Sequence, residues 1–351
     1  MANKAIKYRL YPTTEQEIMF AKTFGCCRKV WNLMLSEKIA VYKETGKFPQ
    51  VTPAKYKSAK HSRRSYTTNN QNGTIALLDK AIKLPKIGAV KAVIHRQPED
   101  SWHIKSATIS QELDRKYYAS VLFEFDNSIC SYVPDTSNAI GFDYASNGLF
   151  VDDRGNVGTN HKFYHESQKK LAKAQRRLSR MIEHNISGYK VIGKKRYPIY
   201  IRPLEECKNI QKQKTVIAKI QRHIANQRLD NLHKLSTEIA NQYDVVCVES
   251  LNMRSMANKG FGNGKATLDN GYGMFLNMLE YKLTDRNKIF VKVDKWFPSS
   301  QICHQCGTIH PEMKDLNIRT MKCDCGLTIS RDQNAAINIL REGLRMLTES
   351  A

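Results

Sequence analysis

The sequence predicts a multidomain α+β protein: an N-terminal β-barrel or sheet carrying a helical insert, then an α/β core interrupted by a small metal ribbon. Three observations lead there. Short strand-like segments punctuated by Gly88, Pro98 and Asp100 fill much of residues 75–127. After Pro134, buried-type apolar runs alternate with long stretches of helical periodicity. Near the C-terminus two close cysteine pairs sit within one short segment. A length of 351 residues agrees with about two domains.

Residues 4–11 alternate in character as a strand does, and Pro12 ends them. Thr13 or Thr14 then reads as a helix N-cap, with Glu15 and Glu17 in the first turn. From 16 to 46 the apolar positions Met19, Phe20, Phe24, Val30, Trp31, Leu33, Met34 and Ile39 keep helical spacing. Residues 52–73 turn polar and basic and read as a solvated loop or a segment that meets nucleic acid. Short strands are expected at 75–78, 89–94, 104–110 and 117–125.

In the α/β part, strands are expected at 139–144, 148–152, 244–249 and 288–294, with a hairpin turn at Asp153-Arg154-Gly155-Asn156. Between the second and third of these lies a long basic insertion read as mostly helical. Ile217, Ile220, Ile224, Leu232, Leu235 and Ile239 give one helix an apolar face, and Leu171, Ala174, Leu178 and Met181 do the same for another. The other faces of that second helix carry Lys169, Lys170, Lys173, Arg176, Arg177 and Arg180. Six cations with few anions to pair them suit a nucleic-acid phosphate backbone; the alternative is a solvated face.

Charge points the same way. Against 33 acidic residues stand 56 Lys and Arg, a formal +23, and residues 161–240 hold 13 of that excess. Such clustering is the footprint of a polyanion partner. No run approaches the ~18 apolar residues of a membrane span, and the opening Met-Ala-Asn-Lys-Ala-Ile-Lys has no apolar signal core, so a cytoplasmic location is expected. Nine cysteines, an odd count, argue for reduced thiols. Cys26, Cys27, Cys130, Cys207 and Cys247 are scattered and read as small buried hydrophobes.

The other four are grouped. Cys303-His-Gln-Cys306 and Cys323-Asp-Cys325 are separated by 16 residues, and Gly307 and Gly326 follow the pairs where a tight knuckle needs freedom from Cβ strain. Two thiolate pairs supply the tetrahedral set that a structural Zn²⁺ requires; His304 and His310 are weaker candidate ligands.

Three acids suggest chemistry. Asp143 follows the apolar Ile140 and Phe142, Glu249 ends Val245-Val-Cys-Val248, and Asp332 lies in the first turn of a terminal helix. Singly each has an ordinary explanation, as a turn former, a strand end or an acid complementing a helix dipole. Together they form a hard-oxygen set suited to Mg²⁺ or Mn²⁺. Two ions about 4 Å apart would stabilise the attacking water and the leaving oxygen of phosphodiester hydrolysis.

These acids, with the cysteine knuckle placed just before the last, resemble the RuvC-type nuclease of the TnpB family of transposon-encoded, RNA-guided DNA endonucleases, similar to compact type V CRISPR effectors. The phrases Lys7-Tyr-Arg-Leu-Tyr-Pro12, Lys83-Leu-Pro-Lys-Ile-Gly88, Val248-Glu-Ser-Leu-Asn252, Phe297-Pro-Ser-Ser-Gln-Ile-Cys303 and Asp332-Gln-Asn-Ala-Ala336 carry the likeness over nearly the whole chain. The resemblance implies a wedge-like β-barrel at 1–14 and 80–135, a helical recognition insert at 15–79, an RNase H-like (RuvC) nuclease core at 136–299 and 331–351 with its basic insertion at about 160–240, and a zinc ribbon at 300–330. It further implies Asp143, Glu249 and Asp332 as catalytic, Mg²⁺-holding acids, a guide RNA, and double-stranded target DNA beside a short motif. Base pairing would then read sequence while the protein reads shape. No coiled-coil seam is visible in the sequence, so a monomer on one RNA is expected.

Three departures stand out: Ala145 where the family usually has Gly, Ser330 where an acid often stands, and a C-x-C second pair. The rival readings are a nuclease-inactive RNA-guided or DNA-only repressor and a RuvC-type DNA nuclease without RNA.

Overall fold

A computed structural model of the chain describes residues 2–47, 64–125, 132–146, 148–159, 161–193, 195–256 and 269–350. The fold is mixed α+β and divides into two compact units, residues 1–128 with 203–219 and residues 129–202 with 220–351. No helix among the described residues is long and apolar enough to cross a membrane.

The first unit opens with β1 (Ala2–Tyr11), followed by α1 (Thr14–Thr45). Strands β2 (Ser65–Asn69), β3 (Ala76–Leu78), β4 (Ala81–Leu84), β5 (Gly88–Val93), β6 (His103–Gln111) and β7 (Tyr117–Phe125) join β1 in one sheet, ordered β2-β6-β7-β1-β5-β4-β3 with antiparallel pairing throughout. Period-2 alternation sets its faces. Ile6, Tyr8 and Leu10 of β1 and Tyr117, Ala119, Val121 and Phe123 of β7 are buried, while Lys7 faces water. Thr13 caps α1 in a reciprocal capping box with Gln16, and Gly46 ends it at φ 67°. Phe20 and Phe24 tie the helix to the sheet, Phe20 lying 5.5 Å from the ring of Tyr117.

The second unit is built on a sheet ordered β13-β12-β8-β9. Its strands are β8 (Ala139–Tyr144), β9 (Phe150–Asp152), β12 (Val245–Glu249) and β13 (Ile289–Val293). β12 runs parallel to both β8 and β13, whereas β9 returns antiparallel to β8 and makes a single further bridge, Val151 to Val157. A strand covered on both faces reads as a continuous apolar run, and Val245 to Val248 are fully buried. One face is covered by α3 (Lys208–Gln242), from Leu232 to Ala240, and by α5 (Tyr272–Thr284), which follows the short α4 (Met253–Met256). The other is covered by α6 (Arg331–Ser350). Between β9 and α3 lie α2 (Phe163–Glu183) and a two-stranded hairpin of β10 (Ile186–Ile192) and β11 (Lys195–Tyr200). A small ribbon of β14 (Thr320–Lys322) and β15 (Thr328–Ser330) precedes α6.

Several expectations change. Of the polar stretch 52–73, residues 52–63 lie outside the described residues, and 65–69 form edge strand β2 rather than a loop. An edge strand exposes its polar face, and Thr67 pairs across to Thr108 at 2.8 Å, so polarity masked the pattern. Among the described residues of the insert expected at 15–79, helix runs to Thr45 and a single 3-10 turn forms at Gln71–Gly73, while strands β2 and β3 belong to the sheet of the first unit. The sheet is open, with β2 and β3 as its edges among the described residues, rather than closed into a barrel. The insertion at 160–240 holds the β10–β11 hairpin besides its helices, because Tyr-Lys-Val-Ile and Tyr-Pro-Ile-Tyr flank a positive-φ Gly193. Trp31, Leu35 and Ile39 of α1 are exposed. So are Cys26 and Cys27, while Cys207 is half-buried and Cys247 alone of the described scattered cysteines is buried. Cys130 lies outside the described residues.

Candidate active site

Asp143, one residue from the end of β8, and Glu249, the last residue of β12, lie on adjacent parallel strands. The register pairs Phe142 with Val248, so the next residue on each strand projects from the same carboxyl edge of the sheet. That edge is where open α/β sheets present their chemistry. Asp332 comes from the first turn of α6, and α6 is drawn onto β8 by the absence of side chains: a Cβ on Gly141 would collide with the Ala336 carbonyl and Leu340. Gly343 plays the same part against Cys247 on β12. The three acids line one cavity of about 860 Å³, shared with Lys295, Lys314, Arg319 and Arg331.

The electrostatics are those of crowded carboxylates. Burial, then the neighbouring Asp332 and Glu249 charges, hold the Asp143 carboxyl well above the usual range, against a smaller lowering by the Tyr144 N–H and Arg331. Burial alone pushes Glu249 up to about 7. Asp332 is more open and lies 4.0 Å from Arg319. A buried carboxyl raised by two neighbouring acids, as Asp143 is, is relieved by a cation, and the hard oxygens of the three fit a divalent ion of the Mg²⁺ kind.

A scaffold beneath the acids lay outside the sequence reading. Asn270, buried, donates from its side-chain amide to the carbonyls of Ala145 and Gly148, pinning the turn that follows Asp143. Its neighbour Asp269 accepts from Arg228 at 2.6 Å and from the Tyr164 N–H. Both precede α5, a helix apolar on nearly every side, and no polar motif marks them out in the sequence. Ala145, one of the three departures named above, is buried and lines the cavity.

The four knuckle cysteines converge. Their Sγ atoms lie within 4.8 Å of one another, with Cys306 to Cys323 at 3.4 Å and Cys303 to Cys325 at 3.7 Å. Zinc at about 2.3 Å from four sulfurs sets tetrahedral edges of about 3.8 Å, so the cluster fits a structural Zn²⁺. Gly307 and Gly326 adopt φ of 81° and 91°. His304 faces Asn334 and His310 faces Glu312, and neither joins the cluster. Asn334 and Asn338 of α6 donate to the Ile302 carbonyl, fastening the knuckle to the helix that carries Asp332.

Lys169, Lys170, Lys173, Arg176, Arg177 and Arg180 are exposed along α2, whose buried side is Leu171 and Ala174. They form a cationic surface on the helix and do not line the acid cavity.

Three family models match the chain. One described as "Probable transposase" covers residues 120–260, which include Asp143 and Glu249. One described as "Cas12f1-like, TNB domain" covers 272–339, which include the four cysteines and Asp332. The third, "Helix-turn-helix domain", covers 1–47, where the structure has one strand and one unbroken helix of 32 residues. A Streptomyces pristinaespiralis protein named "Putative RNA-guided DNA endonuclease" is 29% identical over 97% of this chain and 89% of its own length. The Escherichia coli K12 protein named "Putative RNA-guided DNA endonuclease InsQ" is 27% identical over 76% of this chain, which spans 63% of that protein. A chain of the solved Cas12f1–sgRNA–target DNA complex aligns with a TM-score of 0.46 and 14% identity, over 79% of this chain and 59% of its own.

Proposed function

We propose that this chain, which belongs to the TnpB family of IS605-type transposon proteins, is an RNA-guided DNA endonuclease that hydrolyses phosphodiester bonds at Asp143, Glu249 and Asp332. The observation that carries the reading is the convergence of these acids, from β8, β12 and α6, on one cavity that also presents cations to a phosphate backbone. The strand order β13-β12-β8-β9, with β9 antiparallel and its neighbours parallel, supports an RNase H-like (RuvC) core.

In this reading Asp143 and Glu249 hold the divalent ions, and Asp332, more open to solvent, completes the set and orients the hydrolytic water. A bound Mg²⁺ or Mn²⁺ would supply Lewis-acid stabilisation of the developing phosphate charge and a more acidic water. Arg319, Arg331 and Lys314 take up charge on the substrate strand. The cations of α2 hold the phosphates of a guide RNA, one chain to one RNA, and target recognition by base pairing leaves the protein to read a short adjacent motif. The seven-stranded sheet serves as the wedge, α1 as the recognition element and the cysteine knuckle as a structural zinc ribbon. Such work belongs in a prokaryotic cytoplasm, at the nucleoid.

The test is to express the chain with its native flanking DNA and sequence the RNA that co-purifies. The expected result is a discrete species with a fixed scaffold and a variable end. Heterogeneous fragments that wash off with salt would refute the guided reading.

A further inference from the structure

Trp296 is 80% exposed, an unusual state for the side chain with most apolar area to hide. It is not on a dangling segment. The Trp296 N–H donates to the Asp294 carboxylate at 2.7 Å, and the Phe297 N–H closes the turn onto the Asp294 carbonyl at 3.0 Å. Phe297 then packs against the core under α6. The turn therefore presents the indole outward by construction. Lys295 Nζ sits 4.8 Å from the ring centroid, and both residues line the cavity that holds Asp143, Glu249 and Asp332.

We propose that Trp296 is a stacking platform for an unpaired nucleobase of the DNA strand that enters the acid cavity, with Lys295 and Lys314 on its phosphates. This rests on the nuclease reading of the acids and adds a positioning residue to it. An exposed aromatic face beside cations is the arrangement by which single strands are gripped without regard to sequence. Duplex bases stack on one another and have no free face to offer, so the occupant is single-stranded. A base seated on the indole anchors the strand at the mouth of the cavity, a contact made alike before and during the reaction, so it adds affinity rather than rate.

The experiment uses the full chain with its co-purified RNA and a 20-nucleotide oligo-dT as probe. Intrinsic fluorescence and oligonucleotide affinity are compared for the wild type, Trp296→Phe and Trp296→Ala, and KM and kcat for cleavage are measured separately. The expected result is quenching that is absent from both variants, with affinity about tenfold weaker in Trp296→Ala but within about threefold of wild type in Trp296→Phe, since a phenyl ring still stacks. The tenfold loss should appear in KM with kcat little changed. Asp143→Asn should keep the quench while losing cleavage, so a failure of the nuclease reading leaves the binding result standing. Equal affinity of Trp296→Ala and wild type, equal quenching by a DNA duplex, or quenching by oligo-rU but not oligo-dT would overturn the proposal. Melting temperatures should be unchanged in both variants because the indole is exposed; a fall would likewise count against it.

Discussion

Gly141 on β8 and Ala336 on α6 are in such close contact that the glycine's missing side chain is what lets the helix reach the sheet. Gly141 is two residues before Asp143, and Ala336 is four residues after Asp332. One backbone approach thus sets the spacing of two acids that lie far apart in the chain. Substituting Gly141→Ala should cost about 1–3 kcal/mol by overpacking and should lower cleavage by more than the melting shift explains, because the acids separate. Calorimetry alongside cleavage rates checks this; a variant with wild-type activity would dissociate the acid spacing from this contact.

The knuckle and the active site are mechanically joined through Asn334 and Asn338, whose amides hold Ile302. Cys303→Ser, or chelation, should therefore release about one zinc per chain, unfold residues 300–330 and reduce cleavage at least tenfold, although no cysteine lines the acid cavity. Elemental analysis and limited proteolysis read the first two effects. Full activity in a zinc-free protein would break the link.

For the cations of α2, replacing Lys169, Lys170 and Lys173 together by Gln should weaken RNA binding and flatten its salt dependence. A slope of about 0.7 per neutralised phosphate on a single strand predicts a decrease of about 2 for three contacts. Filter binding from 50 to about 300 mM salt measures it. An unaltered slope would return these residues to the role of a solvated face.

Lys282 gives a pH signature. Its ammonium is buried and donates to the His233 carbonyl, Ser236 Oγ and Thr237 Oγ1. Burial, and secondarily Arg286, lowers its pKa to about 8. Below pH 8 both folded and unfolded states carry the proton, and the fold bears the cost of the buried charge. Between about 8 and the unfolded value near 10.4 the folded state has lost a proton that the unfolded state keeps, so this group's contribution to stability rises with pH. Relative to Lys282→Met, the wild type should gain up to ~3 kcal/mol across that window. Urea unfolding at pH 7.5, 9 and 10 tests the sign; a constant difference would contradict it.

The sequence foretold more of the second unit than of the first. Val245 to Glu249 could be read because a strand buried on both faces is an apolar run that its first carboxylate must interrupt. The four cysteines were legible because zinc dictates ligand type and spacing. Edge strand β2 was not, since Ser-Tyr-Thr-Thr-Asn shows one polar face and no apolar period. Exposed apolar residues misled in the other direction: Trp31 and Ile39 keep helical spacing yet face outward, and periodicity alone does not say which face is covered. Asn270 and Gly141 act through backbone contacts made only in the folded chain, and neither carries a local pattern that announces its partner.

The most direct test of the account is cleavage of plasmid DNA in Mg²⁺ by the chain bound to its own RNA. A target matching the RNA is compared with a scrambled one, and wild type with Asp143→Ala, Glu249→Ala and Asp332→Ala. The expected result is double-strand cutting of the matching target alone, lost in all three variants while RNA remains bound. Cutting that ignores the match, or that persists in the three variants, would contradict it.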